Sequence, residues 1–257
     1  MQSVLNALRV LEEVAARQPI GVGELARALE LPKSSAQRAL VTLQAAGWIR
    51  QAGGGNARWV VTTKALHVGR RASGELGLRD VAVPVMEELR RRTDETVHLT
   101  VPDGADGVVL IERLETSKPV RIFLQLGMHL PLHASANGKA VLAAGPATAV
   151  ERYIAEGLAR FTGTTIDDPG LLRAELMATQ VRGFAVNGGE WRSDVSAVAA
   201  AVIGEAGLPV ASISVNMPTS RMTDELSAEY GALVRGAARQ VSDAIGGSGA
   251  PGGAMSG

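Results

Sequence analysis

Within its first 62 residues the chain carries three short amphipathic segments and then two β-prone runs joined by Gly53-Gly54-Gly55-Asn56. Val4, Leu5, Leu8, Leu11, Val14 and Ala15 recur at three- and four-residue spacing and predict a first helix, with Ser3 as its N-cap and Pro19 and Gly21 ending it. A second helix over 24–29 turns Leu25, Ala26 and Leu29 to one side. Leu31-Pro32-Lys33-Ser34 reads as a turn that opens a third helix, with Pro32 at the first helical position, where its missing N–H does no harm. There Ala36, Ala39, Leu40 and Leu43 face inward, which leaves Lys33, Ser34, Ser35, Gln37, Arg38 and Thr42 for the exposed side and the leading turn; Gly47 stops the helix. Residues 48–50 and 58–61 are the two strands of a hairpin. Three helices followed by a glycine-tipped hairpin is the order of a winged helix-turn-helix, whose third helix fits the major groove of DNA.

The side chains suit that role. Lys33 and the hydroxyls of Ser34 and Ser35 stand at the positive end of the third helix, where backbone N–H groups also grip phosphate. Gln37 and Arg38 are long donors able to read adenine or guanine edges, with Thr42 and Gln44 further along. On the hairpin, Asn56 and Arg58 reach the backbone or the minor groove of the flanking sequence. The same exposed face also suits plain solvated surface, and the charge distribution favours DNA. The chain's 26 basic and 26 acidic residues cancel, which as a sum argues against a nucleic-acid partner. Split near residue 75, ten Lys/Arg stand against five Asp/Glu before it and sixteen against twenty-one after it, so the parts carry +5 and −5.

A length of 257 residues suggests two domains, and an apolar share of 46% is ample for packed cores. With no cysteine there are no disulfides, thiolate nucleophiles or cysteine-held zinc. No apolar run approaches the roughly 18 residues of a membrane span, and the N-terminus lacks a signal-peptide pattern, so a cytoplasmic protein with no membrane partner is expected. Residues 63–92 read as helix in two pieces, broken near Ser73-Gly74 and with Pro84 tolerable only near a helix start; the first piece is a plausible interdomain connector. Strand-like runs at 96–101, 108–114, 120–124, 184–186, 196–202 and 210–216 then alternate with helical stretches at 135–144, 147–158, 169–181 and 224–245. Several joins are too short for crossover helices, which predicts an α/β layer on an antiparallel sheet. From Gly246 the tail is almost wholly Gly, Ser, Ala and Pro and is expected to be disordered.

The chain resembles the IclR family of bacterial transcriptional regulators along nearly its whole length. The motifs that carry the likeness are Gln2-Ser3-Val4, Glu24-Leu25-Ala26, Leu31-Pro32-Lys33-Ser34-Ser35 and Leu40-Val41-Thr42-Leu43 with Gly47. In the second half they are Glu95-Thr96-Val97-His98-Leu99, Leu130-Pro131-Leu132-His133-Ala134, Gly138-Lys139-Ala140 and Arg182-Gly183-Phe184-Ala185-Val186. The resemblance implies an α+β chain of two domains: a winged helix-turn-helix over 1–62, a linker helix over 63–78, and a GAF-like effector-binding domain with an antiparallel sheet over 79–246, before a tail at 247–257. It also implies a dimer or tetramer on a palindromic double-stranded operator, switched by a small organic effector. Carried over from the family, the acceptor-binding amides fall on Ala136 and Asn137, a polar side chain on the opposite wall on Asn187, and the lining on Ile122, Leu130, Val195 and Ala197. Family members commonly have an acid at Asn187, a cysteine at Ala197, a glycine at Asp194 and a proline at Ala201. Asn187 offers a donor and an acceptor but no charge, and Ala197 widens the cavity, so a ligand bulkier than a two- or three-carbon keto acid is expected, an aromatic acid or an amide- or hydrazide-like derivative.

The residues around 133–139 favour the same place without the family: a helix begins there among small side chains, and its first amides suit an acceptor group. Ser135 as a simple cap and Gly138 as a close-packing residue account for the pattern equally well. Enzyme chemistry finds little support. Gly138-Lys139 lacks the upstream glycine and following Ser/Thr of a phosphate-binding loop, and there is no Gly-x-Ser-x-Gly elbow. Pro131 spoils a helical His129/His133 metal pair, His67 and His98 are isolated in sequence, and the paired acids face solvent. The expectation is therefore a regulator of a catabolic operon, not an enzyme, with no metal or other cofactor. The alternative is a small-molecule sensor or scaffold that uses its winged helix for protein contacts; a DNA binder, by contrast, loses affinity steeply as salt rises and prefers one duplex over random DNA.

Overall fold

A computed structural model describes residues 2–52, 57–65, 68, 76–104 and 107–246, and the contacts divide the chain into two units, Met1–Leu76 and Gly77–Gly257. Asn56 with the rest of the hairpin tip, most of the 63–78 segment and the tail at 247–257 lie outside the described residues.

The first unit runs α1 (Gln2–Arg17), β1 (Ile20–Gly21), α2 (Val22–Ala28), α3 (Lys33–Ala45), β2 (Ile49–Gln51) and β3 (Arg58–Val61). The predicted stripe on α1 holds at Leu11 and Val14 and fails at its N-terminal end and at Ala15. Val4, Leu5 and Leu8 are 63%, 52% and 49% exposed, whereas Val10 and Val14 are fully buried and Ala7 and Leu11 pack beside them. Each fully buried valine contributes about 1.5–3 kcal/mol, so the stripe that reaches the core fixes the helix. Ser3 lies inside α1 and does not cap it. Ile20-Gly21 is a third strand that the sequence did not reveal; it pairs with Trp59 and Arg58 and gives the order β1-β3-β2. Ile49 and Trp59 thereby point into the same core as Leu25 and Leu40.

Pro32 is the N-cap of α3 and sits one residue earlier than expected; its carbonyl accepts from Ser35 N (2.8 Å) and Ala36 N (3.1 Å). At the other end Gly47 has φ +76°. This left-handed turn lets Trp48 N donate to Leu43 O and Gly47 N to Gln44 O, both at 2.9 Å, which closes the helix and aims the chain into β2.

The second unit opens with α4 (Leu76–Thr93), followed by β4 (Thr96–Asp103), β5 (Gly107–Leu114), β6 (His129–Pro131), α5 (Ala136–Ala144), α6 (Ala147–Ala155), α7 (Pro169–Arg182), β7 (Ala185–Gly188), β8 (Val195–Ile203), β9 (Pro209–Pro218) and α8 (Asp224–Ala244). Pro84 sits well inside α4, contrary to the sequence expectation. Ala82, Val85, Met86 and Leu89 pack against the sheet around it, and that burial holds the helix across the missing N–H.

The six strands form one antiparallel sheet in the order β6-β5-β4-β9-β8-β7. Residues 120–124, predicted as a strand, form none. Arg121 and Phe123 are exposed and Ile122 and Leu124 buried, so burial alternates over 121–124, while Val120 is exposed and falls outside the pattern. The place beside β5 is instead taken by β6 and by Gly127 and Met128, which exchange bonds with Leu110. One face of the sheet carries Val97, Leu99, Val198, Ala200, Ile213 and Val215 under α4 and α8. Over the other face lies α5.

Gly138 sets how close α5 comes. A Cβ there would stand 2.4 Å from Leu132 Cα and 2.5 Å from Pro131 O, both backbone atoms. Gly138→Ala is therefore expected to lower stability by about 1–3 kcal/mol, read as a lower thermal midpoint. Gly23→Ala, in α2 with open space around the added methyl, is expected to be neutral or stabilising by up to about 1 kcal/mol. Equal effects at the two positions would contradict this packing.

Candidate functional site

The third helix presents the predicted reading face. Lys33, Ser34, Gln37, Arg38 and Thr42 are exposed and Ser35 is half-buried. No side chain caps the helix start, so its leading amides remain open to an anion. Arg38 Nη2 donates to Ser35 Oγ at 3.3 Å, which steers the guanidinium along the helix surface. The Thr42 hydroxyl donates to Arg38 O at 2.9 Å, leaving its lone pairs and methyl outward. Arg58 is committed within the domain: Nη1 donates to Pro19 O (2.8 Å) and Nη2 pairs with Glu24 Oε1 (3.0 Å). Its structural work is to tie β3 to α2, and contact with DNA would have to come from whatever of the guanidinium stays exposed. Asn56 lies outside the described residues.

In the second unit the sheet face under α5 is polar and buried. β9 alternates Ala211, Ile213, Val215 and Met217 toward α4 and α8 with Ser212, Ser214 and Asn216 toward α5. β4 sets Thr96, His98 and Thr100 on that same face, all fully buried. Ser212 Oγ lies 2.7 Å from Thr100 Oγ1 and accepts from Asn137 Nδ2 at 3.0 Å. Asn216 Nδ2 donates to Ser214 Oγ at 2.9 Å. Ser212 and Ser214 escaped the sequence reading; the signal available was polar residues at every second position of an otherwise apolar central strand. Beside this polar strip, Ala136, Ala140, Ala185, Ala197 and Ala199 form a layer of methyl groups, with Ala201 packed against it.

All seven residues expected at the effector site are buried in the second unit. Ala136 and Asn137 begin α5, where Ser135 caps Gly138 N (3.0 Å) and Lys139 N bonds Ser135 O (2.9 Å). The amides of Ala136 and Asn137 have no partner among the described residues. Ala197 pairs with Asn187 on one side and Asn216 on the other. Ile122, Leu130 and Val195 share a cluster with Leu124, and Trp191 packs against it. Arg192, by contrast, points outward beside Asp194. Asn187 Oδ1 accepts from Glu190 N at 2.7 Å, which leaves its amide NH2 as the donor.

Two buried groups brace this arrangement. Lys139, 1% exposed, donates to Glu190 Oε1 (2.7 Å) and Oε2 (2.8 Å), with Glu175 at 3.5 Å. Desolvation raises the Glu190 carboxyl above its ordinary pKa in spite of the opposing ammonium. His133 is buried between Tyr153 OH (2.6 Å) and Ala159 O (2.9 Å), while His129 is exposed beside Asp103. The two histidines face different surroundings, and among the described residues no group of three or more His, Cys, Asp or Glu is placed to hold a metal.

Comparison with known proteins finds the IclR helix-turn-helix domain over residues 3–53 and the bacterial transcriptional regulator IclR C-terminal domain over 71–243. The transcriptional repressor IclR of Escherichia coli K12 is 32% identical over 250 residues, 96% of this chain and 91% of that protein. The acetate operon repressor of Salmonella typhimurium LT2 is 32% identical over 251 residues, with the same coverage. Among solved structures, an IclR homologue from Microbacterium hydrocarbonoxydans complexed with 4-hydroxybenzoate aligns with a TM-score of 0.81 at 26% identity, covering 95% of this chain and 98% of that one.

The buried imidazole of His98 makes the fold acid-sensitive. Desolvation first, and the Arg113 charge second, hold its pKa down to about 3; desolvation also lowers His133. Between pH 3 and the ordinary histidine value near 6.5 the unfolded chain binds the proton that folded His98 refuses. Stability is therefore fully present above pH 6.5 and is lost as the pH falls, at about 1.4 kcal/mol per pH unit for such a group. Thermal midpoints measured from pH 7 to 4.5 are expected to fall less steeply for His98→Leu than for the wild type; parallel slopes would show that His98 is not buried neutral.

Proposed function

The chain belongs to the IclR family of bacterial transcriptional regulators, and from that premise we propose that it sets two copies of α3 in successive major grooves of a palindromic operator, under the control of a small organic acid held against the polar sheet face. The observation that carries this reading is one chain combining a solvent-facing helix of phosphate and base donors with a separate unit whose buried sheet face is hydroxyl-rich and lies beneath two open helix amides. A balanced palindrome demands a symmetric protein, so the working form is a homodimer or a tetramer built from dimers, with half-sites about 34 Å apart or a multiple of that. The names of the relatives, an acetate operon repressor among them, favour a catabolic operon and a cytoplasmic site of action.

On the DNA side, Lys33, Ser34, Ser35 and the open amides hold phosphate, while Gln37 and Arg38 read base edges and Thr42 offers a methyl and a hydroxyl. Asn56 and Arg58 serve the flanking backbone. On the effector side, the amides of Ala136 and Asn137 take the carboxylate, the Asn187 NH2 donates from the opposite wall, and Ile122, Leu130, Val195 and Ala197 bound the apolar part. Alanine at 197 favours a ring over a short keto acid, and the structural relative that holds 4-hydroxybenzoate supports the same size class.

The coupling is linkage. A ligand that binds one arrangement of the second units better than another shifts the spacing of the two DNA-binding heads through the segment at 63–78. Either sign of response, release or recruitment, satisfies this scheme.

Two measurements test it. Arg38→Ala is expected to weaken operator binding by about 1–3 kcal/mol with little effect on random DNA, and wild-type affinity is expected to fall steeply with salt. Affinity indifferent to salt and sequence would favour a winged helix used for protein contacts. In calorimetric titration with pyruvate, glyoxylate, 4-hydroxybenzoate and 4-hydroxybenzamide, the aromatic ligands are expected to bind more tightly; tight binding of the keto acids alone would overturn the proposed ligand class.

A further inference from the structure

Most polar groups on the sheet face under α5 satisfy one another, and one cluster does not. Among the described residues of the second unit, four buried side-chain atoms lack a hydrogen-bond partner: Thr96 Oγ1, His98 Nδ1, His98 Nε2 and Arg113 Nε. They are neighbours by construction. Thr96 and His98 lie two apart on one face of β4, and Arg113 is the cross-strand partner of His98 on β5. The rest of the Arg113 guanidinium is committed, with Nη1 on Leu124 O and Nη2 on Glu115 Oε1 (2.9 Å), and its plane lies 3.9 Å from the centre of the Phe123 ring. Of its three nitrogens, only Nε has no partner among the described residues.

Thr96 and His98 are fully buried, and an apolar residue of similar shape would be the less costly occupant of either position. They also continue the strip formed by Ser214 and Asn216: His98 pairs with Ser214 and Thr96 with Asn216 across β4 and β9. Asn216 in turn pairs with Ala197 on β8. The strip thus runs from residues already assigned to the effector to a second set of groups with nothing to bind.

Building on the effector reading above, we propose that Thr96, His98 and Arg113 form a second polar pole of the effector site, which takes a hydroxyl group at the end of the ligand remote from its carboxylate. The chemistry selects a hydroxyl. Arg113 Nε–H only donates, the threonine hydroxyl does both, and a neutral imidazole has one N–H and one lone pair. Burial keeps His98 neutral. A hydroxyl oxygen accepts from Arg113 or Thr96 while its proton goes to the imidazole lone pair. A second carboxylate only accepts and has no proton for the imidazole lone pair, and a hydrogen or methyl would meet none of the four atoms. The ligand class is therefore a hydroxylated acid, with the carboxylate at Ala136 and Asn137.

The test is calorimetric titration of the full chain with two matched pairs, benzoate against 4-hydroxybenzoate and phenylacetate against 4-hydroxyphenylacetate. In the wild type the hydroxylated member of at least one pair is expected to bind roughly tenfold or more tightly than its partner. His98→Leu and Thr96→Val are each expected to reduce that ratio toward one by weakening the hydroxylated ligand alone, and His98→Asn, which keeps a donor and an acceptor, to retain part of it. A role in packing alone would move both members of a pair together. His98→Leu is also expected to match or exceed the wild-type thermal midpoint at pH 7, and Thr96→Val, which is close to isosteric, gives an independent reading should the leucine variant fail to fold. Equal affinities within both pairs in the wild type, or a ratio unchanged in the variants, would overturn the second pole while leaving the effector reading intact. Failure of every one of the four acids to bind the wild type would overturn both.

Discussion

The ammonium of Lys139, taken almost wholly out of water and clasped by Glu190, fixes where α5 can lie. Two desolvated charges are costly unless they meet each other, and here they meet in one geometry, with both carboxylate oxygens within hydrogen-bond distance of one nitrogen. Glu190 in turn donates its N–H to Asn187, so the pair binds the helix to the β7–β8 connection and orients the asparagine in the same act. Gly138 removes the last obstacle by letting the helix backbone rest against Pro131 and Leu132. Everything attributed to the polar sheet face presumes this placement: the Asn137 side chain meets Ser212 because Lys139 and Gly138 hold the helix there.

Much of this is legible in the amino-acid sequence. The winged helix follows from apolar spacing and two runs of turn residues, because its contacts are short-range and each helix announces its inward face. The antiparallel sheet follows from short joins between strands. Other features depended on contacts that local pattern cannot carry. In α1 the spacing finds Leu11 and Val14, and only the presence of Leu25, Leu40 and Trp59 decides for Val10 over Val4, Leu5 and Leu8. Burial alternates over 121–124 as in a strand, yet alternation reports which side chains are buried and says nothing of where the backbone bonds go. Pro84 breaks helices by local rule and is overruled by tertiary burial.

The effector residues show the same division. Ala136, Asn137, Asn187, Ile122, Leu130, Val195 and Ala197 came from the family resemblance, and no spacing in the sequence links them. Ser212 and Ser214 were visible in the alternation of β9, but their meaning required knowing that the sheet is covered on both sides. The unmatched atoms of Thr96, His98 and Arg113 were beyond any sequence argument, since an orphan is defined by what fails to come near it. Charge was half legible: the sum of zero concealed a +5 and a −5 part on either side of residue 75, and the contacts divide the chain between Leu76 and Gly77.

The alanine layer between α5 and strands β7 and β8 carries a consequence for how such a regulator changes its preferences over time. A wall of methyl groups is the smallest wall that side chains with a Cβ can make, so almost any single replacement at Ala197 or Ala199 can only subtract room, and by an amount set by the new side chain. Because neither methyl side chain carries a hydrogen bond or a charge, a replacement costs the scaffold no polar side-chain contact. Ligand choice can then drift one substitution at a time while the ion pair and the glycine contact that position the helix stay untouched. The same property makes this wall the natural place to begin when building a sensor for a compound of the experimenter's choosing.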